Sequence, residues 1–213
     1  IGGAMITVNC QSSIRIENSG LAIYFDPLKI AERHDANYIF ITHSHWDHFS
    51  PEDIQKAVNE STIIVAPRDV YDKLAETGFD ANKLRCVQPN DELDLDGVHV
   101  QAVPAYNIDK DFHPKANNWV GYVVTINNAI YYIMGDTDAL PENENIRCDT
   151  LFIPIGGTYT MDATEAANFT NRIRPATAIP THYGMVVGTH DDFVKFKSLV
   201  DTGINVVEKI KLD

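Results

Sequence analysis

The chain is short of the features that mark membrane, secreted or nucleic-acid-binding proteins. No apolar run approaches the roughly 20 residues that a bilayer-spanning helix needs. Basic residues are few: 17 Lys and Arg stand against 30 Asp and Glu in 213 residues, a formal charge of −13. Sequence-independent binding to nucleic acid requires a basic surface, so this balance argues against it. The three cysteines, Cys10, Cys86 and Cys148, are far apart, odd in number and form no Cys-x-x-Cys pair. A disulfide framework is not expected, and a reducing cytoplasm suits three small apolar core residues. Ile1-Gly2-Gly3-Ala4 lacks both the basic and the hydrophobic stretch of a signal peptide, and reads as an appendage ahead of a natural start at Met5. No repeat, low-complexity tract or Gly/Ser linker interrupts the rest of the chain, so residues 5–213 are expected to form one domain. A hydrophobic fraction of 44% and a charged fraction of 22% are those of a chain able to build a substantial core.

What is present is an alternation of short strand-like runs with helix signals. Met5–Asn9, Ser13–Glu17 and Leu21–Phe25 read as strands separated by polar turns. Asn37-Tyr38-Ile39-Phe40-Ile41 reads as a buried strand. Ser50-Pro51-Glu52-Asp53 is a helix start, with a capping Ser, Pro at the first helical position and an acidic first turn. A strand at Thr62–Ala66 and a helix at Arg68–Glu76, stopped by Gly78, come next. Further strands are predicted at Leu84–Gln88, Val98–Val103, Val120–Ile126, Ile130–Met134, Thr150–Pro154 and Thr177–Pro180. Asp162-Ala163-Thr164-Glu165 resembles a capping box opening a helix to about Arg172, and another helix covers about Asp191–Val200. Hairpins with interspersed helices suggest two sheets covered by helices.

The densest chemical signal comes after the strand at 37–41. Thr42-His43-Ser44-His45-Trp46-Asp47-His48 places three imidazoles and a carboxylate within seven residues, and with His34 upstream it takes in half of the eight histidines. Neutral imidazoles and ionised carboxylates are the ligands that zinc and its neighbours prefer. His43 and His45, two apart on an extended segment, can point the same way. Two further strands end in ligand-type residues: Met134-Gly135-Asp136-Thr137-Asp138 and Pro180-Thr181-His182-Tyr183-Gly184. Loops at strand ends are where a rigid scaffold assembles sites.

His-x-His-x-Asp-His, a later Gly-Asp-Thr and a final Thr-His-Tyr-Gly, in that order over about residues 5 to 190, resemble the metallo-β-lactamase superfamily. The resemblance is greatest to small metal-dependent hydrolases of the branch that includes ascorbate-6-phosphate lactonases, where an early Asp-Pro, here Asp26-Pro27, follows the third strand. It implies an α+β fold, a four-layer αββα sandwich, with a two-metal site at one edge. Carried onto this sequence, it implies that His43 and His45 hold one ion. Asp47, His48 and His182 hold the other, and Asp136 bridges both. The family requires one more histidine for the first ion, and only His99 and His113 lie in the right interval. His99 falls inside an alternating strand, whereas His113 lies on a loop and is the better candidate. Relatives often carry this ligand directly after the Pro-Ala that closes the preceding strand; here Pro104-Ala105 leads into Tyr106-Asn107 instead.

The expected activity is hydrolysis of a small ester, lactone or phosphodiester by a hydroxide activated between two divalent ions, zinc first, with manganese or iron also suited to the donor set. By the same resemblance Asp47 orients the hydroxide and returns a proton to the leaving group. Asp26 and Asp138 are candidates for orienting ligand imidazoles. His190, Lys115 and Tyr106 are candidate substrate contacts, and Trp119 and Tyr159 lie in segments that could border the pocket. The expected partner is a small-molecule substrate, with neither nucleic acid nor membrane; self-association is left open. The alternatives are a non-catalytic or mononuclear metal-binding protein on this fold, or a nuclease of the superfamily. A structural zinc site would be rich in Cys, which is absent from these motifs. A redox di-iron centre would usually carry Glu at the position of His45.

Overall fold

The computed structural model describes residues 3–212. Ile1 and Gly2 of the expected appendage, and Asp213, lie outside the described residues. Strands β1 (Met5–Val8), β2 (Ile14–Asn18), β3 (Leu21–Phe25), β4 (Tyr38–Phe40), β5 (Ile63–Pro67) and β6 (Leu84–Val87) hydrogen-bond in sequence order into one sheet. Its first three strands run antiparallel and β3 to β6 run parallel. A second sheet has the order β13-β12-β11-β10-β9-β8-β7. It is built from β7 (Glu92–Leu95), β8 (Val98–Pro104), β9 (Val120–Ile126), β10 (Ala129–Ile133), β11 (Thr150–Pro154), β12 (Thr177–Thr181) and β13 (Asn205–Val206). Strands β7 to β10 are antiparallel and β10 to β13 parallel. Parallel neighbours need a crossover. Helices α1 (Pro51–Ala57), α2 (Arg68–Glu76), α3 (Ala163–Ile173) and α4 (His190–Leu199) lie in four of these crossovers, while β3 to β4 and β10 to β11 are joined by segments without an α-helix.

Side-chain alternation sorts these strands into layers. In β3, Ile23 and Phe25 join the core between the sheets, while Tyr24 faces the opposite way. In β4 and β5, Tyr38, Phe40 and Val65 face the second sheet. Ile39, Ile64 and Ala66 pack under α1 and α2 through Ile54, Ala57, Val70 and Leu74. Strands buried on both faces explain why this region reads as near-continuous apolar runs. On the far side Phe169 and Ile173 of α3 and Phe196 of α4 are buried in one cluster with the strands of the second sheet. The result is the αββα sandwich. Among the described residues no helix is long and apolar enough to cross a membrane.

Local signals act as their chemistry requires. The Ser50 side chain accepts from the Asp53 amide at the start of α1, and Asp162 and Glu165 form a reciprocal capping box on α3. Two strands escape the sequence reading. β7 is a half-exposed acidic edge in which only Leu93 and Leu95 reach the core, and β13 has two residues.

Strand direction sets up the functional edge. β1, β3 and β4 point the same way, so residues 9–13, 26 and 41–50 leave one edge of the first sheet. β8, β10 and β12 likewise point together, so residues 105–119, 134–140 and 182–189 leave one edge of the second. Packing at this edge is tight: a Cβ at Gly156 would collide with the His182 carbonyl oxygen. Gly156→Ala is therefore expected to cost about 3 kcal/mol, the upper end of typical overpacking. Thermal unfolding of the variant would check this, and an unchanged midpoint would contradict the packing.

Candidate metal centre

Six loops deliver polar side chains to one buried point. Gln11 follows β1, Asp26 follows β3, and Thr42 to His48 follow β4. Asn107 and His113 follow β8, Asp136 follows β10, and His182 follows β12. Asp26 and His182 adopt φ of 44° and 58°, left-handed backbone that non-glycine residues rarely take. Asp136 sits at the centre: its Oδ2 lies 3.1 Å from the Nε2 atoms of His48, His113 and His182, and 3.6 Å from that of His43. Asp47 Oδ2 lies 3.4 Å from Nε2 of both His48 and His182. Two sets of four result, His43, His45, His113 and Asp136, and Asp47, His48, Asp136 and His182, beside a smaller group of Asp26, His43 and His48. Within each, one donor atom per residue lies within 4.8 Å of all the others.

The surrounding hydrogen bonds fix which ring nitrogen faces inward. Asp26 accepts from the Thr42 amide at 2.8 Å, from the Thr42 hydroxyl at 2.6 Å and from His48 Nδ1 at 2.7 Å. The Thr42 proton being spent on Asp26, its oxygen accepts from His43 Nδ1 at 2.9 Å. The Asn107 side-chain carbonyl oxygen accepts from His113 Nδ1 at 3.0 Å, and the Asn107 side-chain amide donates to the Tyr159 carbonyl at 2.9 Å. Three imidazoles are thus anchored through Nδ1, each with Nε2 turned inward, an arrangement typical of metal-ligating histidines. Gln11, fully buried, donates to Asp47 Oδ2 at 2.8 Å and accepts from the His182 amide at 2.9 Å through its backbone carbonyl.

The inward atoms themselves are unsatisfied. Among the described residues, Nε2 of His43, His48 and His113 and Oδ1 of Asp136 are buried without a hydrogen-bond partner. Each such group costs on the order of 1–3 kcal/mol unless something fills the gap. Burial pushes the His43 imidazole well below its ordinary value, so it is neutral and has a lone pair to offer. Burial opposes a charge on Asp136, but His182 and His48 outweigh it and hold the carboxyl well below the usual range. Burial likewise opposes a charged His182, yet Asp136 and Asp47 raise it to about 9. Protons on the imidazoles thus balance the carboxylates where a cation would otherwise do so. Nitrogen and oxygen donors, convergent, buried and crowded on one another, fit divalent ions of the zinc, manganese and iron group.

A cavity of about 240 Å³ opens onto His45, Asp47, His113, Asp136 and His182. Trp119 walls the site from within, its ring centroid 5.0 Å from His43 and 4.9 Å from His45, and Tyr159 lines the mouth. The three expected substrate contacts lie elsewhere. His190 heads α4, 3.0 Å from Glu208 and stacked on Phe193. Tyr106 donates to Glu142, and the Lys115 ammonium lies 5.0 Å over the Tyr106 ring. None of the three lines the cavity. Asp138 also differs from expectation: it accepts from the Ile108 amide and from Lys110, pinning the 106–113 loop rather than an imidazole. His34 and His99 are paired at the surface with Glu32 and Asp94. Conversely, Gln11, Asn107, Trp46, Phe112 and Val186 border or support the site although their sequence context does not single them out. Trp46 alone carries a signal, its place between His45 and Asp47.

Residues 5–182 match the model of the beta-lactamase superfamily domain. A metal-dependent hydrolase of Thermoplasma acidophilum is 32% identical over 169 residues, spanning 77% of this chain and 73% of its own. A protein of Pyrococcus abyssi is 30% identical over 178 residues, 81% of this chain and 80% of its own. Among solved structures, a protein of Parabacteroides distasonis superposes with a TM-score of 0.82 at 27% identity, covering 98% of this chain and 94% of that one. With the sandwich and the ordered motifs, these matches establish that the chain belongs to the metallo-β-lactamase superfamily, among its small metal-dependent hydrolases.

Proposed function

We propose that the protein is a cytoplasmic hydrolase that holds two divalent cations, zinc by preference, and cleaves a small ester, lactone or phosphodiester. The observation that carries this reading is the pair of donor sets sharing Asp136. His43, His45, His113 and Asp136 would hold one ion; Asp47, His48, His182 and Asp136 would hold the other. When bound, such ions supply a water-derived nucleophile at neutral pH and Lewis acidity toward the substrate's reacting oxygen.

The chain's own contribution is positioning and proton management. Asp26, Thr42 and Asn107 keep the Nε2 lone pairs of His48, His43 and His113 aimed inward, so little reorganisation is needed on loading. Asp47 is the residue we assign to proton transfer. Burial disfavours its charge, but hydrogen bonding with His182 and His48 keeps it ionised, and Gln11 fixes its Oδ2. It is the carboxylate nearer the cavity, with a side chain 10% exposed against 2% for Asp136. It is therefore placed to accept a proton from water and deliver it to the leaving group. Trp119 and the second sheet exclude bulk water from the inner face. A closed structural site is the competing reading; the cavity leading to Asp136 and His182 supports the catalytic one, since structural sites are usually sealed by protein ligands.

Asp136→Asn is expected to reduce bound metal to below one equivalent and turnover by at least about a hundredfold. His113→Ala is expected to lose one equivalent and keep the other. Metal quantification with a hydrolysis panel decides both: an unchanged content in Asp136→Asn, or no metal-dependent turnover in the parent, would end the proposal. Because His182 is protonated below about 9 in the metal-free protein, an incoming ion must displace that proton. Against burial, Asp136, Asp26 and Asp47 likewise hold His48 in its protonated form, so apparent zinc affinity should rise with pH through and above neutrality. Competition with a chromophoric chelator across that range measures it, and a flat profile would contradict the assignment.

A further inference from the structure

The mouth of the cavity differs in chemistry from its floor. The ligand-type residues form the floor, and Trp46, Phe112, Tyr159 and Val186 form the rest of the lining. Three of these four, Trp46, Phe112 and Val186, are among the eight large hydrophobic side chains that stand exposed among the described residues. Single exposed apolar residues are ordinary, but their gathering at one opening marks a contact site. Phe112 meets Tyr159 edge-on with ring centroids 4.6 Å apart, bridging the 105–119 loop to the segment after β11. Trp46 is 64% exposed although it lies between His45 and Asp47.

Positive charge is missing from the same place. Among the described residues no Lys or Arg lines this cavity. Lys110 is held by Asp138 at 2.6 Å, and Lys115 lies over Tyr106. A substrate bearing a phosphate or carboxylate away from its reacting bond would place that charge among apolar rings without a partner, which is costly. The formal charge of −13 adds repulsion at long range.

We infer that the site takes a neutral ester or lactone whose aromatic or branched aliphatic group packs between Trp46, Phe112, Tyr159 and Val186, and that it discriminates against phosphorylated and carboxylate-bearing substrates. This rests on the hydrolase reading and narrows its substrate. Apolar contact fixes the hydrophobic group, and the reacting carbonyl, as the one strongly polar part of the molecule, reaches the floor.

The test compares phenyl butyrate with phenyl hemisuccinate and bis-p-nitrophenyl phosphate on the metal-loaded protein. The neutral ester should exceed the hemisuccinate in kcat/KM by about tenfold or more. Phe112→Ala should lower kcat/KM for phenyl butyrate by about tenfold, chiefly through KM, and leave the hemisuccinate little changed. Val186→Lys should narrow the gap between the two esters. Metal-dependent turnover that favours the hemisuccinate or the phosphodiester would overturn this inference and leave the hydrolase reading intact. Absence of turnover with both ions bound would fell the hydrolase reading, and with it any substrate. A binding measurement probes the mouth separately from catalysis. Quenching of tryptophan fluorescence by 4-phenyl-2-butanone but not by 3-benzoylpropionate, lost in Trp46→Phe, is the expected result. Equal quenching by the two, or none, would overturn the apolar selection.

Discussion

Asp136 is a carboxylate buried among imidazoles, with three Nε2 atoms 3.1 Å from one of its oxygens. A charge removed from water survives only where opposite charge or hydrogen bonds replace hydration. That requirement ties the two sheets together. His48 comes from the first sheet, whereas Asp136, His113 and His182 leave β10, β8 and β12 of the second, so His48 reaches Asp136 only when the sheets pack in this register. The inter-sheet core of Phe25, Phe40 and Tyr122 enforces that register. Phe25 and Phe40 stack at 5.1 Å, and Tyr122 donates its hydroxyl to the Ile41 carbonyl at the root of the histidine loop.

The support around the ligands is itself strained. Asp26 and His182 occupy left-handed backbone, which for a non-glycine residue costs on the order of 1–3 kcal/mol. Asp26 offsets that cost by accepting three hydrogen bonds, two from Thr42 and one from His48. His182 is held by its amide to Gln11, and by Gly156, which leaves room for its carbonyl. In both cases the backbone is bent where a side chain has to be aimed.

How much of this is legible in the sequence depends on whether a function is local in the chain. His43, His45, Asp47 and His48 are legible because four donors fall within six residues after an apolar strand. Asp136 and His182 become legible only beside that motif, as strand-end residues in the right order. The elements are legible from the short apolar runs of β3, β4 and β5 and from the caps of α1 and α3. β7 is not, because its Glu-Leu-Asp-Leu pattern buries two leucines against a charged edge. Gln11 and Asn107 carry no local mark. Each acts by reaching a residue that is 36 or 6 positions away in sequence. His190 shows the reverse error, since eight residues beyond His182 the chain has already turned into α4 and pairs with Glu208.

The same separation divides the labour of the site. Apart from His113 on the 105–119 loop, the donor atoms sit at or just after strand ends whose direction is set by the sheets, and most are braced by a buried neighbour. The mouth is carried by Phe112, Tyr159 and Val186 on connecting loops, with Trp46 the exception, inserted among the donors. A side-chain change at Phe112 or Val186 alters apolar surface without altering the hydrogen bonds of Asp26, Thr42 or Asn107, and one at Tyr159 leaves in place the backbone carbonyl that accepts from Asn107, so substrate preference can vary while the ion-holding geometry is kept. Asp138 sets the limit on that freedom. By clamping Ile108 and Lys110 it ties the loop bearing Phe112 to the strand end bearing Asp136. Loosening this clamp would disturb the rim and His113 together, because both ride on the same short stretch of chain.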